Sequence, residues 1–154
     1  MESNLTFDKK NDIDGTHFLA YLYVNKKSRD CILQYDYSKY KYDRSSFPRS
    51  WTFQNIIGRI NNLSNQNIFG QSDEEKLSFS LDGTYKNEPF NLYDWKGDKC
   101  VHIGGNDKLD VEGLRTELIE LIKKTEPKSY TAICYYDGRK YSYKDKTVCE
   151  KLKT

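Results

Sequence analysis

Apolar and polar positions alternate most regularly over residues 76–83, "KLSFSLDG", with Leu77, Phe79 and Leu81 in one phase and Ser78, Ser80 and Asp82 in the other. A period of two places successive side chains on opposite faces, so the stretch predicts a half-buried strand, and Asp82-Gly83 predicts the turn that ends it. "THFLAYLYV" (16–24) is apolar almost throughout and rich in β-formers, as expected of a central strand covered on both faces. After the polar turn at 25–30, "CILQYDY" (31–37) alternates again, so 16–37 predicts a hairpin.

Helical spacing appears twice. Phe53, Ile56, Ile57, Ile60 and Leu63 recur at intervals of three and four behind Pro48, with Ser50 as the expected N-cap. Val111, Leu114, Leu118, Leu121 and Ile122 do the same over 109–124, with Asp107 or Asp110 as cap, Lys123 and Lys124 suiting the C-terminal dipole, and Pro127 as the stop. Between the helices, "EPFNLYDW" and "KCVHIGG" predict two short strands divided by Lys96-Gly97-Asp98, and "SYTAICYY-DGRK-YSYKD" predicts a final hairpin turning at Asp137-Gly138. The order is ββ-α-βββ-α-ββ. Hairpins dominate it, so the expectation is one α+β domain over 16–154, a mainly antiparallel sheet with two amphipathic helices on one face, preceded by a loose segment at 1–15.

Composition strengthens this picture and narrows the function. Thirteen tyrosines, 7 phenylalanines and 2 tryptophans supply apolar area that a chain 31% charged would otherwise lack. The 25 basic and 23 acidic residues are interspersed, so no basic stripe or tail predicts generic affinity for a polyanion. No apolar run approaches the roughly 18–20 residues of a membrane span, and residues 1–15 have no signal-like apolar stretch. A soluble chain is expected, cytoplasmic or secreted after removal of a signal. Cys31, Cys100, Cys134 and Cys149 allow three disulfide pairings but form no CxxC, and free buried thiols are favoured. No metal or other cofactor is expected, since His17 and His102 stand far apart from any paired ligand and no P-loop, GxGxxG or nucleophile elbow occurs.

His17 and His102 are the only side chains with an ordinary pKa near neutrality, and with Glu88 they form the candidate set for acid–base cleavage of a phosphodiester. Two resemblances bear on that reading. The α-β-β-β-α order of residues 50–124 is similar to a double-stranded-RNA-binding domain. The lysine-rich segment that meets phosphate in that family corresponds here to the acidic "GGNDKLDVEG". "FSLDGTYKNEPFNL" resembles the Tyr-Glu-aromatic-Pro strand of small fungal ribonucleases and their non-catalytic effector relatives, which implies a general-base position for Glu88, although the helix at 109–124 and the last hairpin depart from that pattern.

The expectation that best fits the whole chain is a non-enzymatic protein-interaction protein. The abundance of Lys, Asn, Asp, Ile and Tyr points to an AT-rich genome and hence to an effector, inhibitor or immunity protein, directed at a host or a defence system, of a virus, microbe or pathogen. The alternative is a nucleic-acid-directed protein, an RNA binder or a ribonuclease-like domain using His17, His102 and Glu88. The nominated binding surface is the edge formed by Tyr40 and Tyr42 with Lys39, Lys41 and Arg44. In "YDYSKYKYDR" the period-two phase breaks after Tyr37, which places this second pair of rings opposite Tyr35 and Tyr37. A protein partner is expected and a membrane is not.

Overall fold

In the computed structural model, which describes residues 4–7, 17–24, 47–64, 67–69, 78–134 and 139–143, the alternating stretch becomes the first strand of a meander. Strand β3 is Ser80–Tyr85, β4 is Glu88–Tyr93 and β5 is Val101–Gly105, each antiparallel to the next. Two strands from the N-terminal part flank it: β1 (Leu5–Thr6) pairs with β3 and β2 (His17–Tyr23) pairs with β5, giving the order β1-β3-β4-β5-β2. The helices α1 (Phe53–Leu63) and α2 (Val111–Lys124) cover one face. The final strands β6 (Tyr130–Cys134) and β7 (Arg139–Tyr143) form a separate two-stranded sheet. The architecture is α+β with a five-stranded antiparallel sheet.

Several boundaries differ from the sequence expectation for physical reasons. Asp82-Gly83 does not turn the chain; it lies within β3, and the turn is Lys86-Asn87, both at positive φ (50° and 68°). Such a pair matches the right-handed twist of a two-residue hairpin. Gly83 instead makes room: a Cβ there would come within 2.5 Å of both Phe90 Cζ and the Thr6 carbonyl oxygen. At α1 the cap is Thr52, not Ser50; the Thr52 hydroxyl accepts the Asn55 N–H at 3.1 Å, while residues 48–51 form a turn closed by Trp51 N–H to Pro48 O. At α2 Asp110 caps by accepting the Gly113 N–H at 3.1 Å, and Asp107 does not. The segment 1–15, expected to be loose, contributes β1. Strand β2 stands at the end of the sheet order among the described residues rather than at its centre. The predicted strand at 31–37, the turn at Asp137-Gly138 and the side chains of Cys31 and Cys149 lie outside the described residues.

The main core lies between the sheet and the helices. Leu81, Phe90, Leu92, Val101 and Ile103 from the strands meet Phe53, Ile56, Ile57 and Ile60 of α1 and Leu114, Leu118 and Ile122 of α2, all essentially buried. Among the described residues the centre of the core is chiefly aliphatic with phenylalanine, and Tyr85 is buried in it. The C-terminal ribbon packs on the far side of α1: Lys128 N–H bonds Gly58 O at 3.0 Å, Tyr130 donates its hydroxyl to Gln54 O at 3.1 Å, and its ring stacks on Phe69. Arg59 fastens the ends of both helices, its guanidinium lying 3.6 Å over the Trp51 ring and donating to Thr125 O.

The cap assignment yields a simple expectation. Thr52→Ala removes the acceptor for the Asn55 N–H and lowers stability by about 1 kcal/mol in urea unfolding, whereas Ser50→Ala changes it by only a few tenths. Equal effects at both positions would move the helix start back to Ser50.

Candidate functional site

The cross-strand register decides which titratable groups can meet. Along β5, Val101, Ile103 and Gly105 face the helices, so His102 and Gly104 face the other side of the sheet. His102 is opposite Tyr21 on β2 and Tyr93 on β4. His17 pairs with Gly105 and therefore lies on the helix face, where it borders a cleft against the start of α2. The sheet thus holds the two histidines on opposite faces. Glu88, at the start of β4, accepts the Asn106 side-chain amide at 3.3 Å, and the structure gives it no contact with either histidine.

Each histidine has its own aspartate. His17 Nε2 is 3.1 Å from Asp107 Oδ1, with both side chains largely in solvent, and a pair of this kind contributes little to stability. Together with Leu19, Leu109, Val111 and Arg115 they line a cleft of about 670 Å³. Arg115 is committed to the fold there, its Nε–H donating to Tyr21 O at 3.1 Å. Asp110 on the rim is also occupied: its carboxylate is held below the usual range first by the Gly113 N–H and then by Lys86, which lies 3.1 Å away.

The other pair is far less exposed: His102 is buried and Asp98 largely so. His102 sits among the rings of Phe18, Tyr21 and Tyr93, stacked on Tyr93 with centroids 5.0 Å apart, and its Nε2 meets Asp98 Oδ2 at 2.5 Å. Cys100, whose thiol is buried, belongs to the same face with Tyr21 and Val24. Asp98 also organises the turn between β4 and β5. Its Oδ1 accepts the N–H of Trp95 at 3.2 Å and of Cys100 at 3.0 Å, so one carboxylate ties both arms of the turn and then the adjoining strand. Lys96, Gly97 and Lys99 all adopt positive φ, which gives the turn its tightness.

Next to this scaffold stand two further side chains. Trp95 projects from the turn with 39% of its surface exposed, although its backbone is fastened by Asp98. Asp94, one residue earlier, is fully buried. Its Oδ1 accepts the Ser78 N–H at 2.7 Å and the Phe79 N–H at 3.4 Å, and burial raises its carboxyl to about 6. Neither Trp95, Asp94 nor Asp98 stands out in the sequence, where "YDWKGDKC" reads only as a strand end and a turn. The available signal was an aspartate two residues before Cys100 and four before His102, a spacing that lets a carboxylate close an Asx-turn and still reach the next strand.

Among the described residues no group of three or more His, Cys, Asp or Glu is placed to hold a metal, and no helix is long and apolar enough to cross a membrane. Tyr40, Tyr42, Lys39, Lys41 and Arg44 lie outside the described residues. No family model, curated protein or solved structure matches the chain.

Proposed function

We propose that this chain acts by binding another protein, with Trp95 on the turn 94–100 as an anchor, in the manner of an effector, inhibitor or immunity protein. The observation that carries this reading is the combination at Trp95: a large ring open to solvent on backbone fastened in advance by Asp98. A ring on a preformed turn brings much contact area at small loss of conformational freedom, which is why tryptophan is over-represented among residues that dominate interfaces. The class of partner rests on the composition, rich in Lys, Asn, Asp, Ile and Tyr. A two-histidine nuclease draws no support from a sheet that separates His17 from His102.

The test compares the wild-type chain with Trp95→Ala, both immobilised and presented with extracts of the host in which the protein occurs. The wild type is expected to retain a protein through nuclease treatment, and Trp95→Ala to weaken that retention by about 30-fold or more, as for a contact of about 2 kcal/mol. Equal retention by the two forms would remove Trp95 as anchor. Retention abolished by nuclease and falling steeply with salt would favour a nucleic-acid partner instead.

A further inference from the structure

The turn that carries Trp95 sorts its charges by sign. Residues 94–99, "DWKGDK", hold two carboxylates and two ammonium groups, so the stretch is formally neutral. The fold turns both carboxylates inward. Asp94 is fully buried, its Oδ1 accepting the Ser78 and Phe79 N–H groups, and the Asp98 side chain, 13% exposed, accepts the N–H groups of Trp95 and Cys100 and meets His102. The lysines are turned the other way: Lys96 is exposed and Lys99 half-buried. Lys96 Nζ stands over the Trp95 ring, 5.5 Å from its centroid, so charge and indole form one patch. Both lysines occupy positive φ, 51° and 56°, and this tight backbone fixes where their side chains leave the turn.

We propose that the surface that receives Trp95 is the acidic face of a protein: an apolar recess for the indole, bordered by Asp or Glu side chains that meet the ammonium groups of Lys96 and Lys99. This rests on reading Trp95 as the contact residue and adds the chemistry of what it contacts. Carboxylates held inward by N–H donors cannot reach the cations of a partner, whereas an ammonium group at the rim of the ring meets its anions first. Opposite charges placed so speed association and exclude partners of like charge. A nucleic acid is negative too, but a polyanion is held by many phosphate contacts, and the chain brings two lysines to this turn and a formal net charge of only +2. A few carboxylates around one ring match that scale.

The free protein tests the sign of the surface. Iodide and caesium both quench an exposed indole by collision, so their ratio at equal ionic strength reports the charge around it. Quenching of Trp95, taken as the difference between wild type and Trp95→Phe, should favour iodide several-fold. The double variant Lys96→Gln with Lys99→Gln removes both charges at nearly constant side-chain length, and there the preference should fall to near parity. A displayed library of random peptides, selected on the immobilised chain, then tests the partner, keeping the clones that lose binding to Trp95→Ala. These should be enriched about twofold or more in Asp and Glu over the unselected library, and should bind the double variant about five- to tenfold more weakly at low salt, a difference that shrinks as salt rises. Equal quenching by the two ions, or Trp95-dependent peptides without acidic enrichment, would overturn the acidic partner and leave Trp95 as anchor. Absence of any Trp95-dependent peptide would remove the anchor and this proposal with it. Single-stranded RNA, titrated alongside, should bind more weakly than the selected peptides; tighter binding of the RNA, lost in Trp95→Ala, would make the partner a nucleic acid instead.

Discussion

Phe90→Ala is expected to lower the unfolding free energy by about 3–5 kcal/mol, the range found when a fully buried phenylalanine is truncated. Phe90 is on β4 at the centre of the sheet order, is fully buried, and meets three elements at once. Its ring edge covers Gly83 of β3, it stands edge-on to Phe7 beyond β1 with centroids 6.4 Å apart, and its backbone pairs with Gly105 of β5. The glycines at 83 and 105 have no side chain of their own with which to fill the space, which moves the cost toward the upper end. Chemical denaturation measures it directly. A loss below about 1.5 kcal/mol would mean that the sheet closes over the gap and that Phe90 is not the centre of the core.

Asp94→Asn should do the opposite at neutral pH. A carboxyl raised from 3.8 to about 6 on folding binds its proton more tightly in the native state. Its contribution to stability is complete below the unfolded value and disappears as pH rises through the folded one. At about 1.4 kcal/mol for each tenfold gain in proton affinity, that rise contributes about 3 kcal/mol, which is lost between roughly pH 4 and pH 6. An amide keeps the acceptor for Ser78 and Phe79, cannot ionise, and can place its NH₂ toward the Ser78 oxygen. Asp94→Asn is therefore expected to be more stable than wild type at pH 7, by about 1–3 kcal/mol, and to lack most of the decline across that interval. Some slope remains, since burial raises Asp82 as well, while Asp110, held down by the Gly113 N–H, acts in the opposite direction. Denaturation midpoints at pH 4, 5, 6 and 7 decide the matter. A variant less stable than wild type at pH 7 would show that the fold requires the charge.

The elements best read from the sequence were those whose signals are local. The spacing of Leu114, Leu118 and Ile122, the cap at Asp110 and the lysines of the last turn all belong to α2 itself, and Lys96-Gly97-Asp98 divides β4 from β5 as its composition suggests. The misreadings arose where one residue type serves two ends. Asp-Gly is a strong hairpin signal, but Gly83 is needed under Phe90, so the turn falls on Lys86-Asn87. The positive φ at Lys86 has local compensation, for its ammonium reaches Asp110 and the Tyr85 ring. Strand β1, two residues long, is too short to show any period. As for the candidate site, the sequence could place His102 in a strand with Cys100, but the face of His17 depends on irregularities in the β2–β5 register between Phe18 and Ala20 and between Tyr21 and Tyr23. Sequence periodicity carries no record of such shifts. Trp95 escaped notice because its sequence neighbours mark it only as a strand end, and its exposure shows only in the fold.

The order β1-β3-β4-β5-β2 has a consequence for how the chain is made. Strands β3, β4 and β5 are consecutive and close through short loops, so they can associate as soon as residue 105 is available. The two outer strands come from the N-terminal part, with Leu5 opposite Tyr85 and Phe18 opposite Gly104. During synthesis these two segments precede the meander, and the edges they pair with among the described residues, those of β3 and β5, follow only later in the chain. Among the described residues, the strands translated before the meander thus find their sheet neighbours only after it is made, and an apolar stretch such as "FLAYLY" has no described partner in the meantime. For a nascent chain of this topology, that interval is when a chaperone has most to protect.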